Sequence, residues 1–468
     1  MQIKLNFLGA VENVTGSRYL LEVDGTRVLI DCGLYQERQL IGRNWDKFSF
    51  PPGSINAVLV THAHLDHCGL LPKLIKDGFK GKVYCTEATA EIAKIVLLDS
   101  GHLQEEDARY KRKRHKKEGR KPPRSVKPLY TVTDAQAALP YFSPVKYKQT
   151  VAVSDSVEAT FYDAGHILGA SMIKVKVSSD GQSRTILFSG DLGRINRPIL
   201  RNPTLFEEAD YCFIESTYGD RIHDEYTNIK DNFADIINDT FKTGGKIVVP
   251  SFSVERAQEI LYYLNELFLE DKIPHMPAFL DSPMAIRVTE VFKDHPELFD
   301  EEMTELLSRH ESPFDFAGLK MVRSTKESKA ISNVRGTAMI IAGSGMCTGG
   351  RVKHHLVNNI SRPESTILFV GYQATGTLGR RIINGETPVR ILGQNYHVKA
   401  RIARLHGFSG HADKDELLGW LKNFKTPPKK VFVVHGESEV AHSFAKYVTQ
   451  ETGFETIVPT YQQEIVID

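Results

Sequence analysis

A chain of 468 residues exceeds one ordinary hydrophobic core, so two domains are expected. Its 41% hydrophobic and 25% charged residues are the balance of a globular protein, and a net charge of +1 excludes a global electrostatic pull toward nucleic acid, leaving only local patches. The five cysteines (Cys32, Cys68, Cys85, Cys212, Cys347) form no CxxC pair, which argues against a disulfide framework. No apolar run approaches the roughly 20 residues that span a bilayer. The N-terminus runs straight into strand-like MQIKLNFLG without a signal pattern, so the expected compartment is the cytoplasm.

The first half reads as short strands separated by turn residues: Ile3–Leu8, Tyr19–Val23, Arg27–Ile30, Ala57–Val60 and Lys82–Tyr84. A long helix is expected from Thr86 to about Lys117, then strands at Glu158–Tyr162, Met172–Val177, Thr185–Phe188 and Tyr211–Ile214. Strand-rich sequence with few helices predicts an α/β fold of stacked sheets covered by helices, an αββα sandwich being one candidate. From about Tyr218 the character changes. Amphipathic helices (Asn228–Lys242, Val254–Leu269, Ala285–His295) alternate with buried-looking strands (Lys246–Val249, Ala278–Leu280, Ala338–Ile341, Thr366–Val370), the signature of βαβ units and a parallel sheet. Ala400–Leu405 and Val431–Val434 then resume the earlier strand style. The organisation expected is a first domain over residues 1–217, an inserted domain over 218–398, and a segment 399–468 that completes the first.

The basic segment Arg109–Lys127, RYKRKRHKKEGRKPPRSVK, reads first as a solvated helix end running into a Pro-rich loop. Its functional reading is an arm against phosphates, since clustered Lys and Arg displace counterions from a nucleic-acid backbone.

The chemistry concentrates at AVLVTHAHLDHCG, an apolar strand breaking into a turn with His62, His64, Asp66 and His67. Imidazole and carboxylate are a zinc-binding donor set; the H-x-H pair can turn two rings onto one ion while Asp66 and His67 face a second. A polar surface loop would not need such dense packing of ligand types. Four further residues stand just beyond β-rich runs: Asp31, His166, Asp191 and His435. Alone, each such histidine is more often a satisfied core or surface residue, but strand ends are rigid mounts of the kind a metal site requires.

HAHLDH followed by His166 and Asp191 resembles the ordered motifs of the metallo-β-lactamase superfamily, with Asp31 matching the aspartate that orients the metal loop. The resemblance implies two zinc ions. The first is held by His62, His64 and His166, the second by Asp66, His67 and a third histidine, and Asp191 bridges them. Later segments discriminate among branches. FIESTYGDR with Glu215, GFSGHADKDEL with His411, and VVHGE with His435 resemble motifs A, B and C of the β-CASP ribonucleases, and IAGSGMCTGGR and FVGYQATGTLGRR resemble further segments of that family. The implied fold is an αββα metallo-β-lactamase sandwich with an inserted parallel-sheet β-CASP domain. A histidine rather than valine at motif C points to RNA, and His435 is the implied third histidine on zinc two. The 468 residues hold no counterpart of the KH domains of archaeal relatives or of the C-terminal extension of ribonuclease J-type enzymes.

The expected function is therefore a zinc-dependent ribonuclease cutting single-stranded RNA, with a hydroxide bridging the zincs as nucleophile. His411 is the candidate general acid or phosphate-facing cation, oriented by Glu215, while Asp66 is a ligand first and a proton acceptor second. Backbone N–H groups of the glycine-rich loop could cradle a phosphate, making Ser344 and Gly345 candidate substrate contacts, although a tight strand-to-helix turn needs the same glycines. Arg380 and Arg381 read equally as phosphate contacts and as a solvated helix end. Trp45 and Trp420 read as packing residues. No membrane association is expected; the oligomeric state is not legible in the sequence, and the resemblance leaves a homodimer open, since family members often dimerise. Two other readings stay open at this point: a small-molecule hydrolase (lactonase or thioesterase) using the same metals, and a catalytically silent RNA-binding subunit.

Overall fold

The computed structural model describes residues 2–119, 126–179, 181–223, 229–371, 373–374 and 376–468, which fall into two compact units. The first comprises Met1–Arg197, Arg201–Ile222 and His411–Asp468, and the second Pro198–Leu200 and His223–Gly410.

Unit one is built on two seven-stranded sheets. The first runs, edge to edge, Glu464–Ile467, Ile3–Gly9, Arg18–Val23, Thr26–Ile30, Ala57–Leu59, Lys82–Thr86 and Phe142–Val145. The second runs Thr456–Ile457, Lys430–Val434, Tyr211–Glu215, Gln182–Phe188, Ser171–Ser179, Val157–Asp163 and Thr150–Ser154. Alternation decides which face turns inward. Ile3, Leu5 and Phe7 are buried while Lys4 and Asn6 between them are partly exposed, and Val157, Ala159 and Phe161 repeat the pattern in the second sheet. These inward residues interdigitate in one core with Ile173, Phe188, Phe213 and Phe432. Tyr211–Glu215 is buried at every position, as suits a central strand with parallel neighbours on both sides.

One helix, Glu87–Glu118, serves two environments. Its first half buries Ile92, Ala93, Val96 and Leu97, and Thr86 caps it by accepting a hydrogen bond from the Thr89 amide. Beyond Ala108 the same helix is exposed and basic, with Lys111–Asp107 and Arg114–Glu118 pairs one turn apart. The basic segment thus begins as the expected solvated helix end; its residues 120–125 lie outside the described residues.

Unit two carries a six-stranded sheet in the order Leu319–Met321, Ala278–Asp281, Ala338–Ala342, Lys246–Pro250, Thr366–Phe369 and Arg401–Arg404, every neighbouring pair parallel. Helices Ile229–Thr243, Arg256–Leu269, Pro283–Asp294 and Val352–Asn359 alternate with these strands, as the βαβ reading expects. The helix expected to start at Asn228 is described from Ile229 onward.

The sequence boundary at 398/399 needs correction. Arg401–Arg404 does not return to the sandwich but pairs in parallel with Thr366–Phe369, and the second unit continues to Gly410. The physical reason is that a four-residue edge strand with exposed arginines at both ends carries no pattern that says which sheet it joins. Pro198–Leu200 also belongs to unit two, where Leu200 bridges Phe299.

All five cysteines are buried thiols. Among the described residues, no helix is long and apolar enough to cross a membrane.

Phe213 touches the rings of Phe7, Tyr19, Phe188 and Phe432, with centroids 4.4–5.4 Å apart. Replacing it with Ala is expected to cost the sandwich about 3–5 kcal/mol, read as a lowered urea midpoint by tryptophan or circular-dichroism unfolding; an unchanged midpoint would contradict this packing.

Candidate metal centre and its surroundings

The site is assembled entirely on unit one, at the ends of strands. Asp31 follows Thr26–Ile30 in the left-handed region (φ 58°) and is buried. Its carboxylate accepts from the Thr61 amide at 2.8 Å and from the Thr61 hydroxyl at 3.0–3.1 Å. It also accepts from His67 Nδ1 at 2.7 Å. Thr61 in turn accepts from His62 Nδ1 at 3.0 Å. One carboxylate and one hydroxyl thereby engage Nδ1 of His67 and of His62, so that both Nε2 atoms face the cluster. Gly33 lets the next stretch press against the metal loop: a Cβ there would sit 1.5 Å from the Asp66 carbonyl oxygen.

Beyond the strand Ala57–Leu59 the chain opens and then forms the short helical turn Leu65–Cys68, with His64 at its N-terminus. His62 Nε2 stands 3.0 Å from His64 Nδ1, and His166 Nε2 stands 3.2 Å from the same atom. Across from them, His67 Nε2 lies 3.0 Å from His435 Nε2. His435 follows Lys430–Val434, and its Nδ1 donates to the Thr217 hydroxyl at 3.0 Å. Asp191, just past Gln182–Phe188, divides its oxygens between the two sets. Oδ2 is 3.3 Å from His62 Nε2 and 3.6 Å from His166 Nε2, while Oδ1 is 3.2 Å from His67 Nε2 and 3.6 Å from His435 Nε2. Asp66 Oδ2 completes the second set at 3.7 Å from His435 Nε2.

The donor atoms thus form two groups, each able to hold a cation: His62, His64, His166 and Asp191, and Asp66, His67 and His435 with Asp191 beside them. Asp191 Oδ1, although buried, has no hydrogen-bond partner among the described residues. An orphaned buried carboxylate oxygen facing converging imidazole nitrogens fits cation ligation and fits little else. The charge states agree. Burial, reinforced by neighbouring imidazoles, pushes His62 down to about 3 and His64 to about 4, and places His166 well below its ordinary value. Burial opposes ionisation of Asp66, yet His435, His67 and His64 hold it below the usual carboxylate range. Neutral imidazoles and ionised carboxylates are the ligand forms. His67 and His435 are the exceptions: burial disfavours their charge, but Asp191, together with Asp31 for His67 and Asp66 for His435, outweighs that and raises both.

Next to the cluster, His411 Nδ1 donates to both oxygens of Glu215 at 3.0 and 3.1 Å and lies 3.9 Å from Asp191 Oδ2. Burial lowers the His411 pKa, but the negative charges of Glu215 and Asp191 more than reverse this, raising it to about 9. Glu215 is fully buried and also accepts from the Leu192 amide at 2.6 Å. It therefore ties His411 to the residue following Asp191. The Ala412 amide donates to the Leu192 carbonyl at 2.7 Å and doubles the tie.

Every residue expected at the centre, from Asp31 to His435, is brought into this arrangement. The other candidates lie in unit two. The Ser344 hydroxyl accepts from the Thr348 and Gly349 amides at 3.1 and 3.3 Å, closing the glycine loop on itself. The Gly345 carbonyl accepts from Gln373 Nε2 at 2.9 Å. Arg381 is ion-paired with Glu386, while Arg380 is exposed. Trp420 is packed, its indole donating to the Thr204 carbonyl, whereas Trp45 is exposed. Sequence reading missed Thr61 and Thr217, whose hydroxyls anchor Nδ1 of His62 and of His435, and Arg197, which donates to the His166 carbonyl at 2.8 Å. Thr61 was adjacent to the motif; Thr217 follows Glu215 by two residues.

Three family models match this chain: a metallo-beta-lactamase superfamily domain over residues 20–207, a Beta-Casp domain over 257–382, and a Zn-dependent metallo-hydrolase RNA specificity domain over 395–459. A protein of Thermus thermophilus named a ribonuclease is 40% identical over 92% of this chain and 92% of its own length. The chain belongs to the β-CASP family of metallo-β-lactamase-fold hydrolases. The transcription termination factor FttA of Methanocaldococcus jannaschii is 32% identical over 98% of this chain and 70% of its own. A protein of unknown function from Enterococcus faecalis shares the fold at 11% identity, with a TM-score of 0.56 over the whole of both chains. Membership agrees with the geometry: a chain of the β-CASP family carries a His/Asp cluster able to hold metal.

The Asp31 carboxylate is the common acceptor behind the metal loop, so Asp31→Ala is expected to weaken metal affinity roughly 10- to 100-fold. Metal content after dialysis, measured by inductively coupled plasma mass spectrometry, checks this; wild-type retention would refute the role given to Asp31.

Proposed function

We propose that the protein is a zinc-dependent ribonuclease that hydrolyses phosphodiester bonds of single-stranded RNA. The observation that carries this reading is His411, locked by Glu215 at the edge of the metal-binding cluster. In this proposal His62, His64 and His166 hold one zinc, Asp66, His67 and His435 the second, and Asp191 both. When bound, the two ions supply Lewis acidity that activates water and offsets charge on the phosphate. Everything else falls to the chain itself.

Asp31 and Thr61 keep the Nε2 atoms of His62 and His67 free for ligation, and Thr217 does the same for His435. His411, with Nδ1 committed to Glu215, has only Nε2 to offer a substrate. Raised to about 9 by Glu215 and Asp191 against its burial, it is protonated at neutral pH. It can therefore stand as a cation against a phosphate oxygen or give its proton to the leaving oxygen. Glu215 positions rather than reacts. Asp66, ionised and facing His435, acts as ligand first. Ser344, Gly345 and Arg380 remain the proposed phosphate contacts, whereas the guanidinium of Arg381 is already engaged by Glu386.

A small-molecule hydrolase would use the same metals, but no observation here favours it over RNA. The name of the Thermus relative, together with an RNA-specificity model covering His411 and His435, supports RNA as substrate. A catalytically silent subunit would have no use for a complete cluster with an orphaned carboxylate oxygen.

His411→Ala is expected to slow RNA cleavage about 10²- to 10⁴-fold while leaving zinc content at the wild-type level. Retained cleavage would sink the role of His411; loss of cleavage together with zinc would assign it to the metal site instead. End-labelled RNAs with blocked 5′ ends then read the mode: internal fragments mean endonuclease action, and protection by the block means trimming from the 5′ end.

A further inference from the structure

Away from the metal cluster, unit one has a second concentration of charge. A small pocket is lined by Arg18, Arg43, Lys47 and Lys73 together with Phe48 and Tyr461. Four cations share this wall with a single carboxylate, Asp46. Among the described residues, Lys73 pairs with Asp77 outside the pocket at 2.8 Å, but Arg18, Arg43 and Lys47 form no ion pair. Arg18 is the decisive member. It is 8% exposed, and its buried Nε has no hydrogen-bond partner among the described residues. A guanidinium taken this far out of water and left with an unused donor is costly unless an anion completes it.

The cations are held in place before any ligand arrives. The Arg43 guanidinium lies 3.9 Å from the Tyr461 ring centroid, and the Lys73 ammonium lies 4.2 Å from that of Phe48, with Arg18 at 5.3 Å from the same ring. This has a consequence for selectivity. The ring faces are already covered by cations, so they do not offer a stacking platform for a base. What the pocket can recognise is a compact, multiply charged oxyanion matched to guanidinium forks. A phosphoryl group has that shape and charge.

We propose that this pocket is a phosphoryl-binding site, separate from the metal cluster. Arg18 and Arg43 are its principal contacts, and Lys47 and Lys73 supply further positive charge. The phosphoryl group comes from free phosphate, from a mononucleotide or from the backbone of an RNA strand. Arg18 also links the pocket to the metal loop through its neighbour. The Ser17 amide donates to the Asp66 carbonyl at 2.8 Å, and the Ser17 hydroxyl donates to Asp31 at 3.3 Å. The proposal stands whether or not the substrate is RNA.

Calorimetric titration of the metal-loaded full chain with inorganic phosphate, with AMP and with a cleavage-resistant phosphorothioate oligonucleotide tests this. Arg18→Gln and Arg43→Gln are each expected to lose one class of binding site, or to weaken it about 10- to 100-fold, with metal content unchanged. A loss seen with phosphate and AMP assigns a free phosphoryl ligand, and a loss confined to the oligonucleotide assigns a backbone phosphate. Isotherms that match wild type for all three ligands in Arg43→Gln overturn the proposal, and that less buried position keeps the test valid should Arg18→Gln fail to fold.

Discussion

The buried carboxylate of Asp191 is the interaction on which the rest of the centre depends. It is nearly inaccessible to water, yet it faces imidazoles on both sides and leaves one oxygen without a hydrogen bond. Such a group is tolerated only where positive charge converges on it. Burial raises the cost of its ionisation, and His435, His67, His62 and His411 together hold it well below the usual carboxylate range. Two donor sets meet at this one side chain. The requirement that they converge explains why every neighbouring element is pinned by its own backbone hydrogen bond: Cys32 to the His67 carbonyl, Ser171 to that of Thr61, and His435 to that of Ala10.

A second constraint separates the two ends of each imidazole. His62, His67, His411 and His435 all give Nδ1–H to a carboxylate or hydroxyl, so the opposite nitrogen faces the chemistry. Burial leads the lowering of His62, whereas the nearby carboxylates raise His67, His411 and, despite its hydroxyl partner, His435. Within one cluster the histidines thus share an anchored Nδ1 and differ in burial and in the carboxylates that face them.

Much of this was legible in the sequence because the metal loop is contiguous: six residues, His62 to His67, carry four donors, and no ordinary turn requires that. His166, Asp191 and His435 were legible as polar residues just beyond strands, and the resemblance to known motifs ordered them. Thr61, Ser17 and Thr217 were not, since a hydroxyl beside a histidine looks like any polar residue until the fold sets the distance. Strand style also could not reveal sheet membership. Arg401–Arg404 has the same local preference as strands of the sandwich, and only long-range pairing with Thr366–Phe369 places it in unit two. The phosphoryl pocket was invisible for the same reason, its cations being scattered from Arg18 to Lys73 and closed by Tyr461.

The deepest link between core and chemistry is register. Phe188, Phe213 and Phe432 are direct partners across three adjacent parallel strands, Phe188 opposite Phe213 and Phe213 opposite Phe432. All three turn into the core, against Phe7 and Tyr19 of the facing sheet. A few residues beyond them the same strands deliver Asp191, Glu215 and His435. Because side chains alternate with a period of two, a slip of one residue in any of these strands would expel an aromatic ring from the core and at the same time displace a site residue. The aromatic row therefore does more than stabilise the sandwich. It indexes the strands, and the positions of three residues in the site follow from that indexing.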